Sequence, residues 1–126
     1  MGQPKTLTKN ELMRVVGVSG RQNKKITWHT TEIIVKQFLP LDEYVDVVHQ
    51  ILSDCQINGD GQVAVELVDF AIRMNIISSY AFVNLPEDIE SLYAIVYTSD
   101  LYDTICANVN NKQIEDIKRS VYAYLS

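Results

Sequence analysis

Residues Asp54 to Glu66 read DCQINGDGQVAVE, which holds the residue types of a calcium loop: Asp at the front, Asn-Gly-Asp-Gly in the middle, Glu near the end. An EF-hand loop takes oxygen ligands at positions 1, 3 and 5, glycine at 6 and a bidentate Glu at 12. Counted from Asp54, Gln56 and Asn58 fall on ligand positions and Gly59 on the turn, but the twelfth residue is Val65. Counted from Cys55, Glu66 moves into place while Ile57 and Gly59 occupy ligand positions. The register therefore rejects a calcium site. Asn-Gly and Asp-Gly tolerate positive φ, so the stretch is expected to be an empty surface turn, Asn58 to Gly61, hinging two helices.

The histidines offer little more. His49 follows Asp46 and precedes Ser53 at helical spacing, the residue types of a Ser–His–Asp triad. Helical neighbours share a face for reasons unrelated to catalysis, and no nucleophile elbow or oxyanion glycine cluster accompanies them. His29 is expected at a hairpin turn. The carboxylate groups Asp42-Glu43-Asp46 and Glu87-Asp88-Glu90 sit where helices should begin, and the helix dipole accounts for them without a metal. No nucleotide-binding glycine pattern occurs. Neither a catalytic residue nor a cofactor or metal is expected. Cys55 and Cys106 are far apart and on apolar-periodic stretches, so both are expected as buried free thiols in a reducing compartment.

Charge is more informative than chemistry. Residues 1–25 carry Lys5, Lys9, Arg14, Arg21, Lys24 and Lys25 against Glu11, a surplus of five positive charges in a chain of net −5. The remaining residues therefore carry ten net negatives. A basic arm on an acidic body suits an acidic partner, including a neighbouring copy's body. The same acidic body would repel phosphates, and the arm lacks a dense arginine run, so nucleic acid is not the expected partner. No apolar run approaches the ~20 residues that span a bilayer, and the first residues carry no apolar leader segment.

These residues need elements to carry them. Thr8-Lys9-Asn10-Glu11 has the capping-box pattern, and Leu12, Met13, Val15 and Val16 follow it before Gly17, which predicts a short helix in the arm. Ile26 to His29 and Ile33 to Phe38 are rich in β-branched and aromatic residues and flank Thr30-Thr31, which predicts a β-hairpin. Pro40 opens a helix with Tyr44, Val45, Val47, Val48, Ile51, Leu52 and Cys55 on its apolar side. The next helix carries Val65, Leu67, Val68, Ala71, Ile72, Ile76 and Tyr80. Leu85-Pro86-Glu87-Asp88 predicts a further start with Pro in the first turn, and Ile89, Leu92, Tyr93, Val96 and Tyr97 are then expected in the core. Thr98-Ser99-Asp100 and Asn110-Asn111 break the chain into two more helices. The expected fold is α+β and mostly α. A basic arm (1–25) with one small helix precedes a body (26–126) of a β-hairpin and a bundle of four to five helices.

From Ile26 onward the sequence resembles small structural-module proteins of tailed bacteriophages of Gram-positive hosts. The resemblance is carried by Ile26-Thr27-Trp28 with Val35-Lys36, by Val68 to Arg73 with Asn75-Ile76-Ile77 and Tyr80, and most distinctively by Leu85 to Glu90 with Tyr93, Val96-Tyr97 and Asp100. It departs at His29-Thr30-Thr31, where an Asn-Gly-type turn is expected, and in the arm, which looks like an addition. The resemblance implies a non-enzymatic role in particle architecture: a multi-copy virion protein of the head shell or connector, assembled in the host cytoplasm. Its partners would be other head or connector proteins or further copies of itself. Lys5, Lys9, Arg14, Arg21, Lys24 and Lys25 would supply the electrostatics of anchoring, and Leu12, Met13, Val15 and Val16 the apolar contact. A tail assembly chaperone absent from the mature virion is the second expectation. A small nucleic-acid or regulatory protein-binding module is the third.

Overall fold

The computed structural model describes residues 6–16, 23–57 and 62–126. The elements run α1 (Lys9–Val16), β1 (Asn23–Trp28), β2 (Thr31–Lys36), α2 (Leu41–Asp54), β3 (Gln56–Ile57), β4 (Gln62–Val63), α3 (Val65–Tyr80), α4 (Ile89–Thr98), α5 (Leu101–Cys106) and α6 (Asn111–Leu125). This is the expected α+β, mostly helical architecture.

α1 begins at the capping box: the Glu11 amide donates to Thr8 Oγ1 at 3.2 Å, while the Thr8 amide reaches Glu11 Oε1 at 3.5 Å. β1 and β2 pair antiparallel with Ile26 opposite Ile33 and Lys24 opposite Val35. Ile26, Ile33 and Val35 are buried, so this face of the hairpin lies on the core. The hairpin takes in Lys24 and Lys25, which sequence reading places in the arm. Its turn is His29-Thr30, one residue earlier than expected. His29 has φ 57° and Thr30 does not share the positive φ. That is the sign pattern of a II′ loop, whose first position usually belongs to glycine.

The tip of the hairpin is tied to the helices. Trp28 Nε1 donates to Asp100 Oδ1 at 2.7 Å, and His29 Nε2 lies 3.5 Å from the same oxygen. On the other side of the hairpin, Phe82 donates its amide to Ile34 O at 3.0 Å, so the chain leaving α3 adds a bridge to β2.

α2 packs on α3 and α6, and α3 on α4 and α5. Ile51, Cys55, Ile72, Ile76, Ile77, Tyr80, Ile105, Ile117 and Val121 are fully buried between them. A polar clamp crosses this core. Gln113 on α6 accepts from the Leu39 amide at 2.8 Å and donates to Leu39 O at 2.9 Å, replacing a strand partner with a side-chain amide. Its oxygen also accepts from the Tyr80 hydroxyl at 2.5 Å. Burial raises the Tyr80 pKa further above its ordinary value, so the phenol stays a donor.

Helix ends follow local chemistry. Asp88, not Pro86, starts α4: its Oδ2 accepts from the Ser91 amide at 2.9 Å, which also lowers the Asp88 pKa. Pro86 lies before the cap, outside the first turn. Asn110 caps α6 the same way, accepting from the Gln113 amide at 2.9 Å.

Candidate functional site

The sequence-singled acidic stretch comes first. Asp54 ends α2, and both its carboxylate oxygens are engaged, Oδ1 by Gln50 Nε2 at 2.8 Å and Oδ2 by Asn75 Nδ2 at 2.9 Å. Asn75 is buried and also donates to Ala71 O, so the contact joins α2 to α3 inside the fold. The stretch does not pass directly from helix to helix. β3 and β4 form a two-rung hairpin there, with Gln56 opposite Val63 and Ile57 opposite Gln62. The turn expected at Asn58 to Gly61 lies outside the described residues. Among the described residues no group of three or more His, Cys, Asp or Glu gathers as a metal site. Asp46, His49 and Ser53 are all exposed on α2.

The arm residues divide three ways. Lys5 and Arg21 lie outside the described residues, as do the side chains of Val15 and Val16. Lys9, Leu12, Met13 and Arg14 lie exposed on α1, with Leu7 exposed just before it. Lys24 and Lys25 belong to β1, where Lys25 faces Glu32 across the hairpin at 3.8 Å, an exposed pair of little energetic weight.

The surface that sequence reading missed lies on the body. Tyr93 and Tyr97, expected in the core, are 57% and 38% exposed, and Ile89 is 64% exposed. Leu67, expected on the buried side of α3, is also exposed. These four meet Phe70 and Glu66 around a groove of about 310 Å³ between α3 and α4. Its floor is aromatic. Phe70 stacks on Tyr97 at 6.0 Å between ring centroids and on Tyr93 at 6.5 Å, and the two tyrosines lie 5.2 Å apart.

One end of the groove is rigid. The Tyr97 hydroxyl donates to Asp69 Oδ2 at 2.6 Å, and Arg73 Nε donates to the same oxygen at 2.9 Å. The Arg73 guanidinium sits over the Tyr97 and Tyr102 rings at 5.1 and 4.8 Å. Partial burial and the bond to Asp69 push the Tyr97 pKa up to about 12, so this donor persists across the working range of pH. The groove therefore presents fixed apolar rings rather than a titrating group.

Its charge has one sign. Between residues 65 and 103 the chain carries seven carboxylates and a single cation, Arg73, which Asp69 already holds. Glu66 lines the groove, and Glu87 and Glu90 are exposed on either side of Ile89 in the sequence. A second, larger cleft of about 450 Å³ runs between Leu41, Tyr44 and α6. Its rim mixes Lys112 with Asp116, and the Gln113 side chain at its base is fully committed to the clamp described above. The α3–α4 groove is the better-defined candidate surface: aromatic, held at one end by the Asp69 hydrogen bonds, and lined by Glu66.

Spacing alone conceals this groove, because Tyr93 and Tyr97 share a helix face whichever way that face points. Neighbouring charge does not mark it either: Ile117 beside Asp116 is fully buried, whereas Ile89 beside Asp88 is exposed. No helix among the described residues is long and apolar enough to cross a membrane. No protein-family model, curated protein or solved structure matches the chain.

Proposed function

We propose that this chain is a non-enzymatic structural protein of a tailed-bacteriophage particle, present in many copies on the head shell or its connector and anchored by its N-terminal arm. The resemblance of residues from Ile26 onward to phage structural-module proteins is what supports a particle as its place. The observation that carries the anchoring role is the division of the chain into a basic arm with one amphipathic helix and an acidic body. α1 leaves Leu12 and Met13 exposed beside Lys9 and Arg14, the composition of a segment that seats its apolar side on an acidic neighbour. Each such contact is small, and repetition over many copies supplies the avidity.

Because β1 begins at Asn23, the arm to remove is residues 1–22. Among the described residues, the buried apolar core falls between Ile26 and Val121. The truncated chain is therefore expected to keep the helical circular dichroism and cooperative melt of the body while failing to enter particles assembled in its presence. Incorporation at the level of the full chain would remove the anchoring role.

A further inference from the structure

We propose that the α3–α4 groove is the receptor for α1 of a second copy of this chain, so that copies join head to tail. The proposal rests on the anchoring role of the arm and names its partner. The groove offers Leu67, Ile89, Tyr93 and Tyr97 as exposed apolar surface beside Glu66, on a stretch of chain (65–103) whose net charge is negative. The arm offers the complement. Leu12 and Met13 are exposed on a helix of eight residues, with Lys9 and Arg14 exposed beside them. Such a helix is about 12 Å long, enough to lay two turns along the groove.

Three considerations select a second copy as occupant. Charge complementarity favours a net-positive segment, and the chain's own arm is one: α1 carries Lys9 and Arg14 against Glu11, and Lys5 and Arg21 flank it in the sequence. In the single chain both surfaces stay open: Leu12 is 50% exposed while Ile89 is 64% exposed, so the arm does not occupy its own groove. Groove-to-groove contact between two copies would set these net-negative stretches against each other, which disfavours the two-fold alternative. One arm and one groove per copy make a heterologous contact, and heterologous contacts propagate into rings or open chains. A single eight-residue helix buries less than a standard interface of roughly 1,600 Å², so the isolated contact is expected in the micromolar range.

The test is sedimentation velocity on the full chain, on Leu12→Asp in the arm and on Ile89→Lys in the groove. Both substituted side chains are exposed, and unchanged thermal melts of the body establish that each variant folds. Wild type is expected to self-associate with rising concentration up to about 100 µM and less so in high salt. Each variant alone is expected to need at least about tenfold higher concentration than wild type to associate to the same degree. An equimolar mixture then has one intact groove and one intact arm between two chains, and is expected to stop at a one-to-one dimer. The proposal is overturned if wild type stays monomeric at several times that concentration, if Ile89→Lys associates like wild type, or if the mixture does not dimerise while wild type assembles. Particle incorporation of Leu12→Asp separates this from the anchoring role. Exclusion from particles by a chain whose wild type is monomeric leaves the arm an anchor with another receptor, whereas normal incorporation removes the anchor itself.

Discussion

Replacing Gln113 by Leu removes a polar clamp in the core at nearly constant volume, and its cost follows from what is left behind. The Leu39 amide and carbonyl and the Tyr80 hydroxyl each lose their Gln113 partner, and both residues are fully buried. An orphaned buried polar group costs about 1–3 kcal/mol, and the gain from burying a Leu side chain offsets part of the total. Three such groups cost about 3–9 kcal/mol, and with about 1.5–3 regained the net loss centres on about 4 kcal/mol, a large share of the roughly 5–15 kcal/mol that keeps a domain folded. For a chain of this length that corresponds to a fall in Tm of roughly 10–20 °C. Tyr80→Phe is the control. It removes the hydroxyl but leaves Gln113 paired with both Leu39 groups, so its cost is about 1 kcal/mol, or a few degrees. Calorimetry and urea unfolding of the two variants measure the difference. A Gln113→Leu chain that melts within a few degrees of Tyr80→Phe would refute the clamp and mean that Leu39 finds other partners.

Asp100→Asn should weaken the tie between the hairpin tip and the α4–α5 junction. The Trp28 hydrogen bond, with His29 nearby, holds the Asp100 carboxyl below its ordinary pKa. Its contribution is therefore present above about pH 4 and lost as the pH falls further. The difference in stability between wild type and the Asn variant should accordingly close on acidification, and a difference that widens contradicts the assignment. His29→Gly should stabilise the hairpin by roughly 0.5–1 kcal/mol, because φ 57° is a left-handed value that glycine adopts freely. A lower Tm in that variant would show that the His29 contacts outweigh the turn. Burial raises the thiol pKa of both Cys55 and Cys106, so a thiol reagent at about pH 8 should label neither quickly in the native chain and both on unfolding. One fast native thiol would contradict the packing around α5.

The parts legible in the sequence are those fixed by neighbours along the chain. The capping box at Thr8 and Glu11 needs only four residues, and the breaks at Thr98 to Asp100 and Asn110 carry their own polar caps. The hairpin was legible as two strands but not in its turn, because no glycine or asparagine marks the left-handed position that His29 takes. Likewise Pro86 read as the first turn of α4, although the Asp88 side chain, able to reach the Ser91 amide, sets the start. Gln113 could not be found at all, since its partners Leu39 and Tyr80 lie 74 and 33 residues away. The groove shows a different limit. Leu67, Ile89, Tyr93 and Tyr97 fit a helical period, and period identifies residues that share a face without saying whether a neighbour covers it. That these four converge on one surface is a property of how α3 meets α4, which only the fold displays.

The particle role is tested most directly by quantitative mass spectrometry of purified virions from a phage that encodes this chain, compared with the lysate from which they came. The account predicts peptides of residues 23–126 in the purified particles at a fixed multi-copy ratio to the major head protein. In a phage encoding Leu12→Asp, that signal should be lost from particles and retained in the lysate. A chain abundant in the lysate but absent from wild-type particles would contradict the account, and would place it instead among factors that act only during assembly.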